Sequence, residues 1–210
     1  MINVLATSLS EENEFFELSA DVSADILLVN SDKTLQISSF YGVSEILGLF
    51  REISAEMNNT VFVFSRLEVE GELCNSCIVI EKGRFRGVAD SITDEECLKG
   101  KSQKVLSNER FSAGICIGRD FLYPASFATL CVGADFTLHA THEEFNCDYF
   151  AAVRGRNCFC KEKYISLYKD AIVVNDGGFR TETYDKAFFF DEKNIRVKPY
   201  KGFLKFNLIE

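Results

Sequence analysis

The chain has 210 residues, of which 47% are hydrophobic and 26% are charged, and its formal net charge is −9 at pH 7. This length suits a single domain with a sizeable core, which we predict over residues 1–210. The acidic balance repels phosphate backbones, no apolar run approaches the roughly 18 residues of a membrane helix, and the first residues lack a basic signal region, so we expect no nucleic-acid or membrane partner and a cytoplasmic location.

Continuous apolar runs predict buried strands, and amphipathic segments between them predict helices. In the segment 43–56, Ile46, Leu47, Phe50 and Ile53 fall on one helical stripe. Strands that alternate with helices favour an α/β layered fold. The predicted strands are 2–7, 25–30, 60–66, 76–80, 111–117, 135–139, 171–175 and 186–190, and the other predicted helices are 11–19, 121–132 and a segment around residue 149.

The segment 111–135 predicts a strand, a sharp turn and a helix. Gly118 permits the turn, and Gly133 ends the helix. Enzymes often expose a nucleophile at such a strand-to-helix turn. Here the turn presents Gly118, which has no side chain that could attack a substrate.

This segment resembles the nucleophile motif of the nitrilase, or carbon–nitrogen hydrolase, superfamily. In an ungapped comparison the catalytic cysteine of the motif corresponds to Gly118, and the acidic residue after its proline corresponds to Ala125. The resemblance implies a four-layer α-β-β-α sandwich, with two sheets face to face and helices outside, and a homodimer. The positions that match the motif are Gly114, Ile117, Asp120, Pro124, Gly133, Ala134 and Asp135.

Weaker similarities to the same family place its other two catalytic positions. Residues 25–31 resemble the strand that ends in the general-base glutamate, which corresponds to Ser31. Residues 73–83 resemble the hairpin before the catalytic lysine, which corresponds by spacing to Ser91. In the family the cysteine attacks an amide or nitrile carbon, the glutamate takes its proton and the lysine supports the oxyanion. With all three replaced, we predict a catalytically degenerate protein retained as a small-molecule-binding or structural module.

Cys116 is the candidate for a displaced nucleophile. A two-residue shift of the motif would put its thiol at the turn, but that shift loses the match at Asp120 and Pro124. In the ungapped comparison Cys116 lies inside the strand, deeper than Gly118. The alternative hypothesis is therefore an active, amidase-type carbon–nitrogen hydrolase that acts on non-peptide C–N bonds through Cys116.

Polar residues near the turn are candidates for binding a small-molecule ligand. Asp120 could instead cap the following helix, which we favour. The two histidines, with Glu143 and Glu144 beside them, could bind a metal or accept a proton, and a polar loop at a strand end explains them too. The candidate ligand-binding residues are Arg119, Asp120, His139 and His142.

The eight cysteines are expected to be thiols, since no signal sequence points to an oxidising compartment. Cys74 and Cys77 form a Cys-x-x-Cys motif that, with Cys158 and Cys160, could bind zinc or act as a reactive thiol pair. Residues three apart in a strand point to opposite faces, which argues against both a zinc site and a reactive thiol pair. We therefore expect no metal and no cofactor.

Overall fold

The chain divides into two compact units in a computed structural model, one formed by residues 1–88 and 189–210 and the other by residues 89–188. The main sheets are both mixed, with seven strands in one and six in the other. A single domain over residues 1–210 stays a prediction. The structure describes residues 2–9, 24–37, 45–69, 71–93, 105–122, 134–143, 163–168, 171–176, 181–185, 191–192, 195–196, 198–200 and 203–209.

The described elements are mostly strands. They are β1 (Ile2–Leu9), β2 (Ile26–Ile37), α1 (Glu45–Glu56), β3 (Thr60–Val69), β4 (Glu72–Glu81), β5 (Arg84–Asp90), β6 (Val105–Ser107), β7 (Ser112–Ile117), a 3-10 turn (Gly118–Leu122), β8 (Phe136–Ala140), β9 (Lys163–Leu167), β10 (Ala171–Asp176), β11 (Thr181–Asp185), β12 (Asp191–Glu192), β13 (Ile195–Arg196), β14 (Lys198–Tyr200) and β15 (Phe203–Ile209).

The seven-stranded sheet has the order β14-β15-β1-β2-β3-β4-β5. Its centre is parallel, since β1 pairs with β2 and β2 with β3 in the same direction. The flanking pairs β1–β15 and β3–β4 are antiparallel. Along β2, the consecutive residues Ile26, Leu27, Leu28 and Val29 are all fully buried, which is typical of a strand that is covered on both faces.

Helix α1 covers one face of this sheet. Leu47, Phe50 and Ile53 follow one another at helical spacing, are buried, and pack in one cluster with sheet residues that include Val61 and Ile80. The helix ends at Glu56, and Asn58 then takes a left-handed φ of 50°, as is common just after a helix. The apolar stripe predicted from the sequence is therefore the face that the helix buries.

The turn between β4 and β5 packs against the same helix. Lys82 and Gly83 both have positive φ, 50° and 74°, as in a two-residue type I′ hairpin turn. The guanidinium Nε of Arg51 donates a hydrogen bond to the Gly83 carbonyl at 3.3 Å, and the Gly83 amide donates to Ser54 Oγ at 3.2 Å. A Cβ on Gly83 would lie 2.8 Å from the Cβ of Ala55, so this turn needs glycine for space as well as for φ.

The six-stranded sheet has the order β11-β10-β9-β8-β7-β6. Strands β7, β8 and β9 are parallel neighbours, so their carboxyl ends meet at one edge of the sheet. Ligands in α/β proteins bind most often at this kind of edge. The residues that follow β7 and β8, from Gly118 and from Thr141, lie there.

The α/β class predicted from the sequence agrees with the two mixed sheets and the described helix. Seven predicted strands are found with shifted bounds, and the helix predicted at 43–56 spans Glu45–Glu56. The strand at 186–190 and the helices at 11–19 and around residue 149 lie outside the described residues. Of the helix predicted at 121–132, only Phe121 and Leu122 are described, and they belong to the 3-10 turn. Within the described ranges, no helix is long and apolar enough to cross a bilayer.

Candidate functional site

Gly118 forms a sharp elbow where the chain leaves β7. Its φ is +54°, a left-handed value that glycine adopts without strain and other residues adopt at a cost. Chain neighbours aside, no atom of the described residues lies within 4 Å of the place where a Cβ would stand. The position that corresponds to the family nucleophile therefore has space for a side chain and carries none.

A row of three polar side chains crosses the sheet just before this elbow. Cys116 on β7 is in register with His139 on β8, and His139 is in register with Ser166 on β9. Residues in register on parallel neighbours project from the same face. All three have no exposed surface. A thiol, an imidazole and a hydroxyl are thus held side by side in the interior of the second unit.

The imidazole of His139 uses both ring nitrogens. Nε2 lies 2.9 Å from the carbonyl oxygen of Gly118, and Nδ1 lies 2.6 Å from Ser166 Oγ. A carbonyl can only accept, so we assign the ring hydrogen to Nε2, and Nδ1 then accepts from the Ser166 hydroxyl. The ring also meets the edge of Tyr168, with 5.9 Å between ring centroids.

Burial lowers the pKa of His139 to about 4, although the hydrogen bond to Gly118 acts in the opposite direction. The imidazole is therefore neutral at pH 7. Since both nitrogens already have partners, His139 supports the elbow from inside the sheet and does not present a base to a ligand.

Asp120 is 2% exposed, and its carboxylate accepts hydrogen bonds from residues 91–93. Its Oδ1 accepts from the Ser91 hydroxyl at 2.9 Å, from the Thr93 amide at 2.9 Å and from the Thr93 hydroxyl at 2.7 Å. The Ile92 amide reaches Oδ1 at 3.1 Å and Oδ2 at 3.0 Å. These hydrogen bonds tie the Asp120 carboxylate to a separate segment of chain. That Asp120 also caps the helix 121–132 stays a prediction, since most of that helix lies outside the described residues.

Ser91 lies within this same cluster. Its hydroxyl is buried and donates to Asp120, so the position that corresponds to the family lysine carries a neutral group engaged within the protein. Ser31, which corresponds to the general-base glutamate, is buried in β2 of the first unit. That these two positions correspond to the family's lysine and glutamate stays a prediction from the resemblance.

The thiol of Cys116 is fully buried. Burial, and to a smaller extent the charge of Asp120, raise its pKa well above 9.0, against an opposing hydrogen bond with the backbone of Ile117. The thiolate is the nucleophilic form of cysteine. At neutral pH, Cys116 is therefore a protonated thiol without access to solvent.

Arg119 and Glu143 mark the exposed rim of the elbow. The Arg119 Nε lies 2.9 Å from Glu143 Oε1, and the two side chains are 69% and 51% exposed. An ion pair this exposed contributes at most about 1 kcal/mol. His142, next to Glu143, is half-buried. The structure thus brings together Ser91, Gly118, Asp120 and His139, with Arg119 and His142 at the edge of the group.

The Cys-x-x-Cys motif does not form a reactive pair. Cys74 is disulfide-bonded, whereas Cys77 is a buried thiol outside any disulfide. The expectation that the cysteines are all thiols is therefore wrong for Cys74. Cys158, Cys160 and Glu144 lie outside the described residues. In the described part of the chain, no group of three or more His, Cys, Asp or Glu side chains could hold a metal ion.

Sequence analysis missed Ser166, Thr93 and Tyr168. Ser166 stands between Ile165 and Leu167 in an apolar strand, and a polar residue in such a run is a signal that a buried partner exists. That signal was present in the sequence. The partnership of Thr93 with Asp120 had no local signal, since the two residues lie 27 positions apart.

Comparison with known proteins places this geometry on a known fold. Neither a family model nor a curated protein matches the sequence. The NitN amidase from Nesterenkonia sp. AN1 is similar in structure with a TM-score of 0.70 at 11% identity, over 100% of this chain and 94% of that one.

A cysteine-to-alanine mutant of the amidase from Nesterenkonia sp. AN1, in complex with butyramide, matches with a TM-score of 0.68 at 12% identity, over 86% of this chain and 85% of that one. A carbon–nitrogen hydrolase from Helicobacter pylori G27 matches with a TM-score of 0.60 at 13% identity, over 80% of this chain and 73% of that one. The chain therefore has the fold of the nitrilase-superfamily amidases, as its central motif indicated.

Proposed function

We propose that this nitrilase-fold protein is catalytically degenerate and serves as a small-molecule-binding or structural module. The observation that carries the proposal is the elbow itself, where Gly118 has a φ of +54° and no described residue outside its chain neighbours fills the Cβ position. The elbow keeps the backbone form that presents a nucleophile, and it carries no nucleophile.

The alternative of a displaced nucleophile finds little support around Cys116. An attacking cysteine needs a thiolate and access to substrate, whereas this thiol is buried and its pKa is raised well above 9.0. His139 lies beside it in the neighbouring strand, but both imidazole nitrogens bind other partners.

If the protein is a binding module, the ligand contacts the backbone of Gly118, which no side chain covers at that position. Arg119 and His142 contribute at the rim, where they reach solvent. Asp120 and His139 support the elbow without contacting the ligand. Their polar atoms bind residues 91–93, Gly118 and Ser166 inside the protein. The ligand-binding role predicted for all four residues is thus divided between contact and support.

Three further expectations remain proposals. The four-layer α-β-β-α sandwich is supported by the two mixed sheets and by the similarity in fold, and an experimental structure tests it. The homodimer is an expectation from the family resemblance, which sedimentation tests. The cytoplasmic location is tested by fractionation, and the disulfide at Cys74 weighs against it because disulfides are rare in cytosolic proteins.

The test is turnover of butyramide, the ligand seen in the Nesterenkonia amidase. We expect no ammonia release from the native chain. Turnover that is lost in Cys116→Ser but kept in Cys77→Ser would overturn the proposal in favour of the displaced nucleophile. Cys77 is the matched control because it is also a buried thiol in a strand and forms no disulfide.

A second measurement distinguishes a binding role from a structural role. Butyramide is titrated into the ¹⁵N-labelled native chain, and the amide signals of Gly118 and Arg119 are followed. Saturable shifts confined to these amides support the binding role. A flat titration with a folded spectrum favours the structural role.

A further inference from the structure

We infer that His139 is a positioning residue, which holds the backbone of the Gly118 elbow in its left-handed form from the neighbouring strand. The inference rests on the proposed function only in taking the elbow as the ligand site. The conformation of the elbow itself can be measured whether or not a ligand binds.

The first support is the direction of the hydrogen bond. Gly118 is the first residue after β7, and its carbonyl accepts from Nε2 of His139 at 2.9 Å. The orientation of that carbonyl fixes the peptide plane between Gly118 and Arg119. Because glycine has wide conformational freedom, a bond from outside the local chain is needed to select one orientation.

The second support is that the imidazole cannot easily turn away. Its Nδ1 is held by Ser166 at 2.6 Å, and the edge of Tyr168 packs against the ring. The side chain has no exposed surface. The Gly118 carbonyl can only accept, so its contact with Nε2 assigns the ring hydrogen to that nitrogen. The Ser166 hydroxyl, which can donate or accept, then donates to Nδ1 and holds the ring in place.

The third support is a second anchor two residues further on. Asp120 binds the amides of Ile92 and Thr93 with its buried carboxylate. The chain between Gly118 and Asp120 is therefore held at one end by β8 and at the other by residues 91–93. Only Arg119, between the two anchors, is largely exposed. An elbow held in this way binds a ligand without first paying the entropy of becoming ordered.

The test compares two substitutions whose side-chain amides replace different nitrogens of the imidazole ring. His139→Gln places an amide nitrogen near the position of Nε2, whereas His139→Asn is shorter and reaches only the Nδ1 side. Both remove the ring, so both lose packing against Tyr168 and some stability. Only a positioning role through Nε2 distinguishes them at the elbow.

The readouts are the imidazole ¹⁵N shifts of the native chain, the carbonyl ¹³C shift of Gly118, and hydrogen exchange at the amide of Arg119. We expect the neutral Nε2–H tautomer in the native chain, a carbonyl shift near native in His139→Gln, and a changed shift in His139→Asn. Exchange at Arg119 should be about tenfold faster in His139→Asn, as for the loss of one hydrogen bond.

The inference is overturned by an Nδ1–H tautomer in the native chain. It is also overturned if the two variants give the same Gly118 shift and the same exchange rate. If neither variant folds, the tautomer of the native chain decides alone. None of these readouts involves butyramide or ammonia release, so failure here is distinct from failure of the proposed function.

Discussion

Asp120 and Cys116 are electrostatically coupled: after burial, the negative charge of the Asp120 carboxylate is the next cause that raises the pKa of the Cys116 thiol. The same carboxylate binds residues 91–93. One side chain thus binds residues 91–93 and, after burial, disfavours the thiolate of Cys116.

Neutralising the carboxylate should make Cys116 a slightly stronger acid. In Asp120→Asn we expect the thiol pKa to fall relative to the native chain and to stay above its usual range, because burial is the larger cause. The measurement is the rate of alkylation by iodoacetamide between pH 7 and 10 under native conditions. A native chain that is alkylated at pH 7 as fast as in urea contradicts this account.

Removing the carboxylate should also destabilise the fold. Asp120→Ala leaves the Ser91 and Thr93 hydroxyls and the amides of Ile92 and Thr93 without this acceptor. We expect a loss of about 3 kcal/mol in the free energy of unfolding, measured in urea. The control Ser91→Ala removes one donor and should lose about 1 kcal/mol. Equal losses in the two variants would show that the carboxylate does not act as the centre of the cluster.

Gly118 and Gly83 should differ in how well they tolerate substitution by alanine. Gly118 and Gly83 both have left-handed φ, 54° and 74°. A Cβ on Gly118 meets open space among the described residues, whereas one on Gly83 lies 2.8 Å from the Cβ of Ala55. Gly118→Ala should cost about 1 kcal/mol from backbone strain alone, and Gly83→Ala about 3 kcal/mol because overpacking adds to the strain.

Both glycine variants are compared by urea unfolding under the same conditions. A cost for Gly118→Ala equal to or above that of Gly83→Ala would mean that the space beside Gly118 is filled. The binding form of the proposed function would then lose its main support.

Folding stability should depend on pH through His139. Its pKa is lowered from 6.5 to about 4 in the folded chain, so between these values the unfolded chain binds a proton that the folded chain does not. The contribution is fully present above pH 6.5 and is lost as the pH falls toward 4, by about 3 kcal/mol in total. Among the described residues, the titratable side chains beside His139 are Cys116, which is in register with it, and Tyr168, whose ring contacts it.

His139→Gln isolates this contribution, because glutamine does not titrate. The difference in unfolding free energy between the native chain and the variant should shrink as the pH falls from 6.5 to 4. A difference that is constant over this range would show that His139 titrates normally in the folded chain.

Sequence reasoning succeeded where local pattern determines structure. The apolar stripe of α1, the buried runs of β2 and β3 and the turn at Gly118 all follow from residue spacing. The strand β9 was missed because its Ser166 and Tyr164 interrupt the apolar run. Ser166 is on the face that carries His139, and only the pairing of β8 with β9 shows that its hydroxyl has a partner there.

The turn at Gly118 was predictable from the sequence, whereas the hydrogen-bond partners of Gly118 and Asp120 were not. The sequence placed a sharp turn at Gly118, as the structure shows, because that turn depends on residue spacing within one segment. The partners of Asp120 come from residues 91–93, and the partner of Gly118 comes from β8. Contacts between segments far apart in the chain are set by sheet pairing, which residue spacing does not encode.

The absence of a working nucleophile at the elbow is tested most directly by its reaction with acrylamide, which adds to the active-site cysteine of a Nesterenkonia amidase variant. The native chain and Gly118→Cys are incubated with acrylamide at pH 7, and intact mass and peptide mapping locate any adduct. The account predicts no adduct on Cys116 in the native chain and a single adduct at position 118 in the variant. Stoichiometric modification of Cys116 in the folded native chain would contradict it.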